Sequence, residues 1–324
     1  MRAAVQRSYG GPEVLQVEDV PDPTARPGWT LVRLRAAALN WHDVLVRRGQ
    51  YGSPLPHVPG ADGAGVVDGT GDEVVVLPSL WWGGDESAPG ESWEILGDHR
   101  PGTYAELVAV PDECVFPKPV GLSWAEAAAL PLVGVTTYRA LFSRGGLQSG
   151  ESLLVLGAGG GVATMAVSLA AALGARVVVT SSSEEKIEQA QGLGALGGVR
   201  YDAEGWPEAA RQVNGGRGFD VVLDSVGTWS ESLRALRPGG RLVVLGASRG
   251  EQADLAVRPY YFGQYSILGT TMGSPADFAD LLAFIRDHDV PPPVIDRVLP
   301  LDDVVSAHQR LESGQAFGKL VLEV

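Results

Sequence analysis

The chain has 324 residues, 45% hydrophobic and 20% charged, enough for two domains with a substantial core. A formal net charge of −14 argues against nucleic acid or an anionic membrane surface as partner, although local amides and one or two cations can still hold a small anion. Cys114 is the single cysteine, so neither an internal disulfide nor a cysteine-built zinc site is available.

Met1-Arg-Ala-Ala-Val runs directly into a strand-like segment with no secretory-leader core. The apolar run from Ala125 to Leu141 is interrupted by Glu126, Pro131, Gly134 and Arg139, so no stretch reaches membrane-spanning length. A cytoplasmic location is the expectation. The first third reads as short strands and turns. Leu31 to Ala36 alternates as a half-buried strand does, and Gly63 to Val67 and Glu73 to Leu77 read as further strands. Pro21, Pro23, Pro27, Pro54, Pro56 and Pro59 punctuate them in the manner of an irregular β-barrel. A polar loop from Pro78 to Gly102 carries Trp81, Trp82 and Trp93, which either line an aromatic pocket or pack the loop or a subunit contact.

From Gly121 helices and strands alternate. Ser123-Trp-Ala-Glu126 is a capping box that opens a helix. Strands are predicted at Leu153–Leu156, Arg176–Thr180, Gly198–Tyr201, Phe219–Leu223, Arg241–Leu245 and Ser266–Gly269, with helical patterns between them, including Glu184–Gln191 and Ser230–Leu236. That rhythm predicts a doubly wound parallel sheet. Ser274-Pro275-Ala-Asp277 starts a helix reaching about Asp287. A closing helix (Leu301–Ser313) and strand (Lys319–Val324) have no place in that sheet and return to the first domain. The division is therefore 1–120, 121–272 and 273–324.

The most informative stretch is the turn Gly157-Ala-Gly159-Gly160-Gly161-Val162-Ala163, after one strand and before the small apolar run Thr164 to Leu173. Glycines let the backbone approach a pyrophosphate, and the free amides at a helix N-terminus face the anion. GxxGxxA is weak as a motif. Its position between a strand and a helix, with a second strand following, makes dinucleotide binding the reading over a bare βα turn.

Several stretches occur together in order: Ala38 to Gly49, with Asn40 and Asp43; Pro59 to Val67; Gly102-Thr-Tyr-Ala-Glu106; Ala128 to Tyr138; the glycine turn; and Asp224-Ser-Val-Gly227. With these, nearly the whole chain resembles the medium-chain dehydrogenase/reductase superfamily. The resemblance implies an α/β architecture: a GroES-like irregular β-barrel catalytic domain from both chain ends around a Rossmann domain, with the cofactor in the cleft. Zinc alcohol dehydrogenases of that family carry a cysteine where Asn40 stands, a His-Glu pair at Ala61-Asp62, and a cysteine near Val133. Their loop of four structural cysteines is here Trp81 to Trp93, without one. These replacements do not suit tetrahedral zinc, so the chain is similar to the zinc-independent, quinone-oxidoreductase-like branch. A residual metal reading would converge His42, Asp43, Asp62, Asp98 and His99.

An NAD-specific sheet places an acid at the end of its second strand; here stand Thr180, Ser181, Ser182 and Ser183, with Lys186 just beyond. Tyr201, where resembling reductases bring a tyrosine to the 2′-phosphate, ends the third strand, and Arg200 precedes it. NADP(H) is the expected cofactor. The alternative is that Ser181–Ser183 cap the helix at Glu184, which could then reach a ribose of NAD. By resemblance Thr136 approaches the nicotinamide phosphate or ribose, and Gly246, Ala247 and Ser248 sit at the ligand-binding edge of the sheet.

Without a metal to polarise a carbonyl, a quinone or an α,β-unsaturated carbonyl is the easier acceptor, because hydride attack gives a delocalised anion that hydrogen-bond donors stabilise. A small hydrophobic substrate of that kind is expected. Asn40 is placed to donate to the substrate oxygen and Tyr51 to donate or relay a proton; Asp43 either orients a ring or ribose or caps its helix. The alternatives are a zinc-type alcohol dehydrogenase with an unrecognised metal site and a non-catalytic NADPH-binding sensor or structural protein. The strand Ser266–Gly269 ends the sheet, and pairing across it predicts a homodimer.

Overall fold

In chain order the elements of the computed structural model are β1 (Arg2–Gln6), β2 (Leu15–Asp19), β3 (Trp29–Ala38), α1 (Trp41–Arg47), β4 (Asp62–Val67), β5 (Glu73–Val76), β6 (Ser79–Leu80), β7 (Glu94–Ile95), β8 (Leu107–Pro111), β9 (Val115–Pro117), α2 (Trp124–Ala128) and α3 (Pro131–Tyr138). There follow β10 (Ser152–Val155), α4 (Gly161–Leu173), β11 (Arg176–Ser181), α5 (Glu184–Gly192), β12 (Gly197–Arg200), α6 (Trp206–Val213), β13 (Phe219–Asp224), α7 (Trp229–Ala235), β14 (Leu236–Val244), α8 (Val257–Phe262) and β15 (Ser266–Gly269). The chain closes with α9 (Pro275–Asp287), β16 (Ile295–Pro300), α10 (Val304–Glu312) and β17 (Lys319–Glu323). All residues except Ala25, Arg249 and Glu251 are described, and no helix among them is long and apolar enough to cross a membrane.

Two units result. One comprises Met1–Val135, Gly273–Ala279 and Pro292–Val324, the other Thr136–Met272 and Asp280–Pro291. The first boundary falls after Val135 rather than after Val120, because α2 packs on β3 and β4. The return segment is also divided, with Asp280–Pro291 grouping with the second unit.

The first unit is built on a seven-stranded sheet in the order β16-β17-β3-β4-β5-β9, with β8 also on β3. Every pair is antiparallel except β16 with β17. The register of β3 against β4 shifts between Leu34 and Ala36. Gly65 is needed there, since a Cβ on it would lie 2.1 Å from the Arg33 carbonyl oxygen. The long tryptophan-bearing loop holds a short ladder of its own, β6 with β7. Trp82 is buried in it, edge-on to Trp93, whose indole N–H donates to Ser79; these two rings serve the loop's own packing.

The second unit is a six-stranded, all-parallel sheet in the order β12-β11-β10-β13-β14-β15. Leu153–Val155, Val177–Val179 and Val221–Leu223 are buried on both faces, which is why these strands are continuously apolar rather than alternating. Small residues of α4, among them Ala163, Ala166 and Ala170, are buried on the sheet, and Gly174 ends the helix in the left-handed conformation at φ 87°. Each fully buried Leu or Val contributes about 1.5–3 kcal/mol, so this core fixes the positions of the strand ends.

Candidate functional site

The C-terminal ends of β10, β11 and β13 border a cavity of about 280 Å³. After β10 the backbone turns at Gly157, φ 86°, a conformation that favours glycine. The Gly157 N–H donates to the Thr180 hydroxyl at 3.1 Å, tying the turn to the end of β11. Gly160 caps α4 and Gly161 opens it, so unpaired helix amides stand at the cavity wall. Of the residues named as cofactor-binding from the sequence, Gly157, Gly160, Val162, Tyr201 and Ser248 line the cavity; Thr180 at the end of β11 and Ser225 and Val226 of the Asp224–Gly227 stretch line it too, as do Trp206 and Thr228, which no motif marked. Lys186 lies against the turn, and a Cβ on Gly159 would stand 2.9 Å from its Nζ. An anion cradle of glycine backbone, helix amides and one ammonium fits a dinucleotide phosphate.

The other expected cofactor residues are not part of this lining. The Ser181 hydroxyl accepts from the Ser183 N–H, and the Ser183 hydroxyl caps α5 by accepting from the Lys186 N–H. Capping thus accounts for Ser183, while Ser182 is exposed. Arg200 pairs with Asp202. Thr136 is buried, with its hydroxyl toward the Met272 sulfur, and is absent from the cavity wall. Gly246 backs the Ser225 carbonyl, where a Cβ would approach to 2.7 Å, and Ala247 stands beside Gly227. Asp224 knots the loop after β13: its carboxylate accepts from the N–H groups of Val226, Gly227 and Thr228 and from the Ser232 hydroxyl. That knot presents Ser225, Val226 and Thr228 to the cavity.

In the antiparallel unit a second polar cluster surrounds the start of α1. Lys319 Nζ donates to Asn40 Oδ1 at 2.5 Å and to Asp62 Oδ2 at 3.0 Å. Asp62 also accepts from the Asn40 amide at 2.9 Å and the Leu132 N–H at 2.7 Å. The second Asn40 amide contact is to the Ala38 carbonyl, and the side chain is buried. The Asn40 amide, expected to face a substrate oxygen, is engaged inside the protein by Asp62 and the Ala38 carbonyl. Burial pushes the Asp62 pKa up, against the opposing pull of Lys319 and Asn40.

Asp43 is fully buried and forms the capping box of α1 with Asn40, accepting from the Asn40 N–H and the Tyr104 hydroxyl at 2.8 Å each. Burial works to raise its pKa, but His42, Tyr104 and Asn40 together hold it below the usual carboxylate range. Of the two roles left open for Asp43, capping is the one this geometry gives. His42 meets Asp43 and Asp98 as ion pairs, and the ring of the half-exposed Tyr51 lies 4.9 Å from the His42 ring. The sequence named His42 and Asp98 only within the residual metal reading and did not single out Lys319. A lysine opening the closing strand just before the apolar run Leu320-Val-Leu322 was the available signal.

A buried carboxylate already bound to an ammonium, a neutral amide and no thiolate do not fit a tetrahedral zinc ion. Among the described residues no group of three or more His, Cys, Asp or Glu side chains could hold a metal. His42, Asp43 and Asp98 do converge, as ion pairs, while Asp62 belongs to Lys319 and His99 is exposed.

Comparison with known proteins follows the same division. Residues 26–120 match the alcohol dehydrogenase GroES-like domain, and residues 161–287 match the zinc-binding dehydrogenase family. The chain is 37% identical to 2-methylene-furan-3-one reductase of Solanum lycopersicum, over 99% of this chain and 79% of that one. It is 30% identical to quinone oxidoreductase of Homo sapiens, over 99% and 97%. A solved NAD-dependent alcohol dehydrogenase superposes with a TM-score of 0.94 at 42% identity, covering all of both chains. A GroES-like domain joined to a parallel-sheet nucleotide-binding unit defines an oxidoreductase of the nicotinamide-dependent class. The chain belongs to the medium-chain dehydrogenase/reductase superfamily.

Proposed function

We propose that the protein is an NADPH-dependent reductase of quinones or α,β-unsaturated carbonyls that works without zinc. The observation that carries this reading is the Lys319 ammonium bound by Asn40 and Asp62, which puts a built-in cation among residues that hold metal ligands in zinc enzymes of the family. When bound, the reduced nicotinamide supplies the hydride. The glycine turn and the amides of α4 take the pyrophosphate. Lys186 and Tyr201 take the 2′-phosphate, and no carboxylate among Thr180–Ser183 repels it. The Tyr51 hydroxyl donates to the acceptor oxygen. Without a Lewis acid an unactivated ketone is a poor acceptor, whereas a quinone or enone delocalises the charge and needs only such donors.

The test is NADPH oxidation by chelator-treated protein with an ortho-quinone and a simple enone. Turnover that survives chelation is expected. Loss of activity restored by zinc, or turnover confined to NAD⁺ with an alcohol, overturns the reading in favour of a zinc-type alcohol dehydrogenase. NADPH binding with no turnover of any acceptor favours a sensor.

A further inference from the structure

The ends of β11 and β12 bring a guanidinium beside the serine corner that opens α5. Ser181 and Arg200 are register partners on these two parallel strands, and the Tyr201 N–H donates to the Ser181 carbonyl at 3.2 Å. A Cβ on Gly198 would stand 2.8 Å from Ile187 Cγ2 of α5. Strand alternation turns Arg200, two positions on, to that same α5 face, while Val199 and Tyr201 pack on the other side with Trp206 of α6. Glu184 and Lys186 stand on the first turn of α5, and the Glu184 carboxylate helps stabilise the Arg200 charge.

Arg200 is held by a close neighbour in the chain rather than by the core. Its Nε and Nη2 donate to Asp202 at 2.9 and 2.5 Å, and the two side chains are 45% and 44% exposed. An ion pair so exposed contributes little to stability, so exchanging it for another anion costs little. Asp202 takes two of the five guanidinium N–H donors, on one edge of the fork. We propose that Arg200 selects NADPH over NADH by binding the 2′-phosphate, with Asp202 as the resting counter-ion that it gives up. The proposal rests on the NADPH reading above and names the residue that sets the preference.

The direction of the exchange follows from charge. A phosphate monoester carries about −1.5 to −2 at neutral pH and offers three acceptor oxygens, against a single charge on Asp202. It is the stronger partner for a planar guanidinium fork. With NADH there is no phosphate to move to, and Arg200 stays on Asp202. Acids at strand ends of such a sheet favour the free ribose hydroxyls of NAD, and Asp202 and Glu184 are two acids at this corner. Arg200 offsets their charge, which reconciles a 2′-phosphate with carboxylates close by. The exchange breaks no covalent bond and moves no proton.

The experiment is calorimetry of the full chain, Arg200→Ala, Asp202→Asn and the double variant with NADPH, NADH, adenosine 2′,5′-bisphosphate and 5′-AMP. Both side chains are exposed, so the variants are expected to fold. R200A is expected to weaken NADPH and the bisphosphate about 10-fold, with NADH and 5′-AMP nearly unchanged. D202N is expected to tighten the two phosphorylated ligands about 2- to 5-fold, and to recover part of the R200A loss in the double variant. R200A that changes NADPH and NADH equally, or neither, overturns the proposal alone. D202N that weakens NADPH also overturns it, because Asp202 would then be orienting Arg200 rather than competing for it. A wild type that binds NADH and 5′-AMP as tightly as their phosphorylated counterparts overturns the NADPH reading and this proposal with it. The bisphosphate lacks a nicotinamide, so its result stands apart from turnover of any acceptor.

Discussion

Lys319 and Asp62 are 257 residues apart in the chain and 3.0 Å apart in space, both buried. Breaking a buried pair from one side strands a charge in a medium that solvates it poorly. Lys319→Met is expected to cost about 3–5 kcal/mol, measured by urea unfolding. The double variant Asp62→Asn/Lys319→Met should recover part of that loss. A double variant no more stable than Lys319→Met would show that the loss does not come from a stranded Asp62 charge.

Two buried histidines set opposite pH limits on stability. His42, with its pKa raised to about 9 in the fold, contributes stability fully present below the unfolded value near 6.5 and lost as pH rises toward 9. His308 is neutral and buried beside the Tyr104 ring, and burial pulls its pKa down to about 4. Its contribution is present above 6.5 and lost as pH falls from there toward 4. The unfolding midpoint should therefore peak near pH 6.5, each histidine changing stability by at most about 1.4 kcal/mol per pH unit within its own window. H42Q should flatten the alkaline side and His308→Gln the acid side; a variant that leaves its side unchanged refutes that assignment.

Gly159 makes room for a cation rather than for a backbone turn. A Cβ there would meet the flexible end of Lys186, Cδ at 2.7 Å and Nζ at 2.9 Å. Gly159→Ala is expected to fold normally and displace the ammonium from the turn. Together with Lys186→Ala it should weaken NADPH binding about 10- to 100-fold, the range of a lost charge-assisted hydrogen bond. NADH binding should change less, and equal loss for both cofactors in calorimetry would remove Lys186 from 2′-phosphate recognition.

Asp224 holds four donors at once. Asp224→Ala should unfasten the loop after β13, raising the Kd for NADPH and lowering the unfolding midpoint. Unchanged affinity would mean that the loop keeps its shape without the knot.

β15 lies at the edge of the parallel sheet, and Val257 and Phe262 on the preceding helix are 65% and 66% exposed. An edge strand beside exposed apolar side chains invites pairing. Light scattering at micromolar concentration is expected to give a dimer, and a monomer there removes the idea.

The parallel sheet was legible because its central strands are buried on both faces, and its glycine turn because the strand, turn and helix adjoin in sequence. β16 was not legible: Ile295-Asp-Arg-Val-Leu-Pro alternates poorly and lies at a sheet edge. Asn40 was identified as a departure at a ligand position, yet its function in the fold depends on Lys319, 279 residues away, and no local pattern encodes such a pairing. Asp43 shows a second limit. Its spacing from Asn40 signals a capping box, but the Tyr104 hydroxyl that shares the same oxygen comes from another segment. Local geometry was readable; long-range satisfaction of buried polar groups was not.

The pairing of β17 with β3 also orders events during synthesis. All six strands of the parallel sheet leave the ribosome before β17, so that sheet can assemble while the antiparallel unit still lacks its closing strand. Asp62 must wait for Lys319. Until then its carboxylate has no countercharge and the nascent sheet has an open edge beside β3, a window in which a chaperone or a degradative enzyme would recognise the unfinished chain.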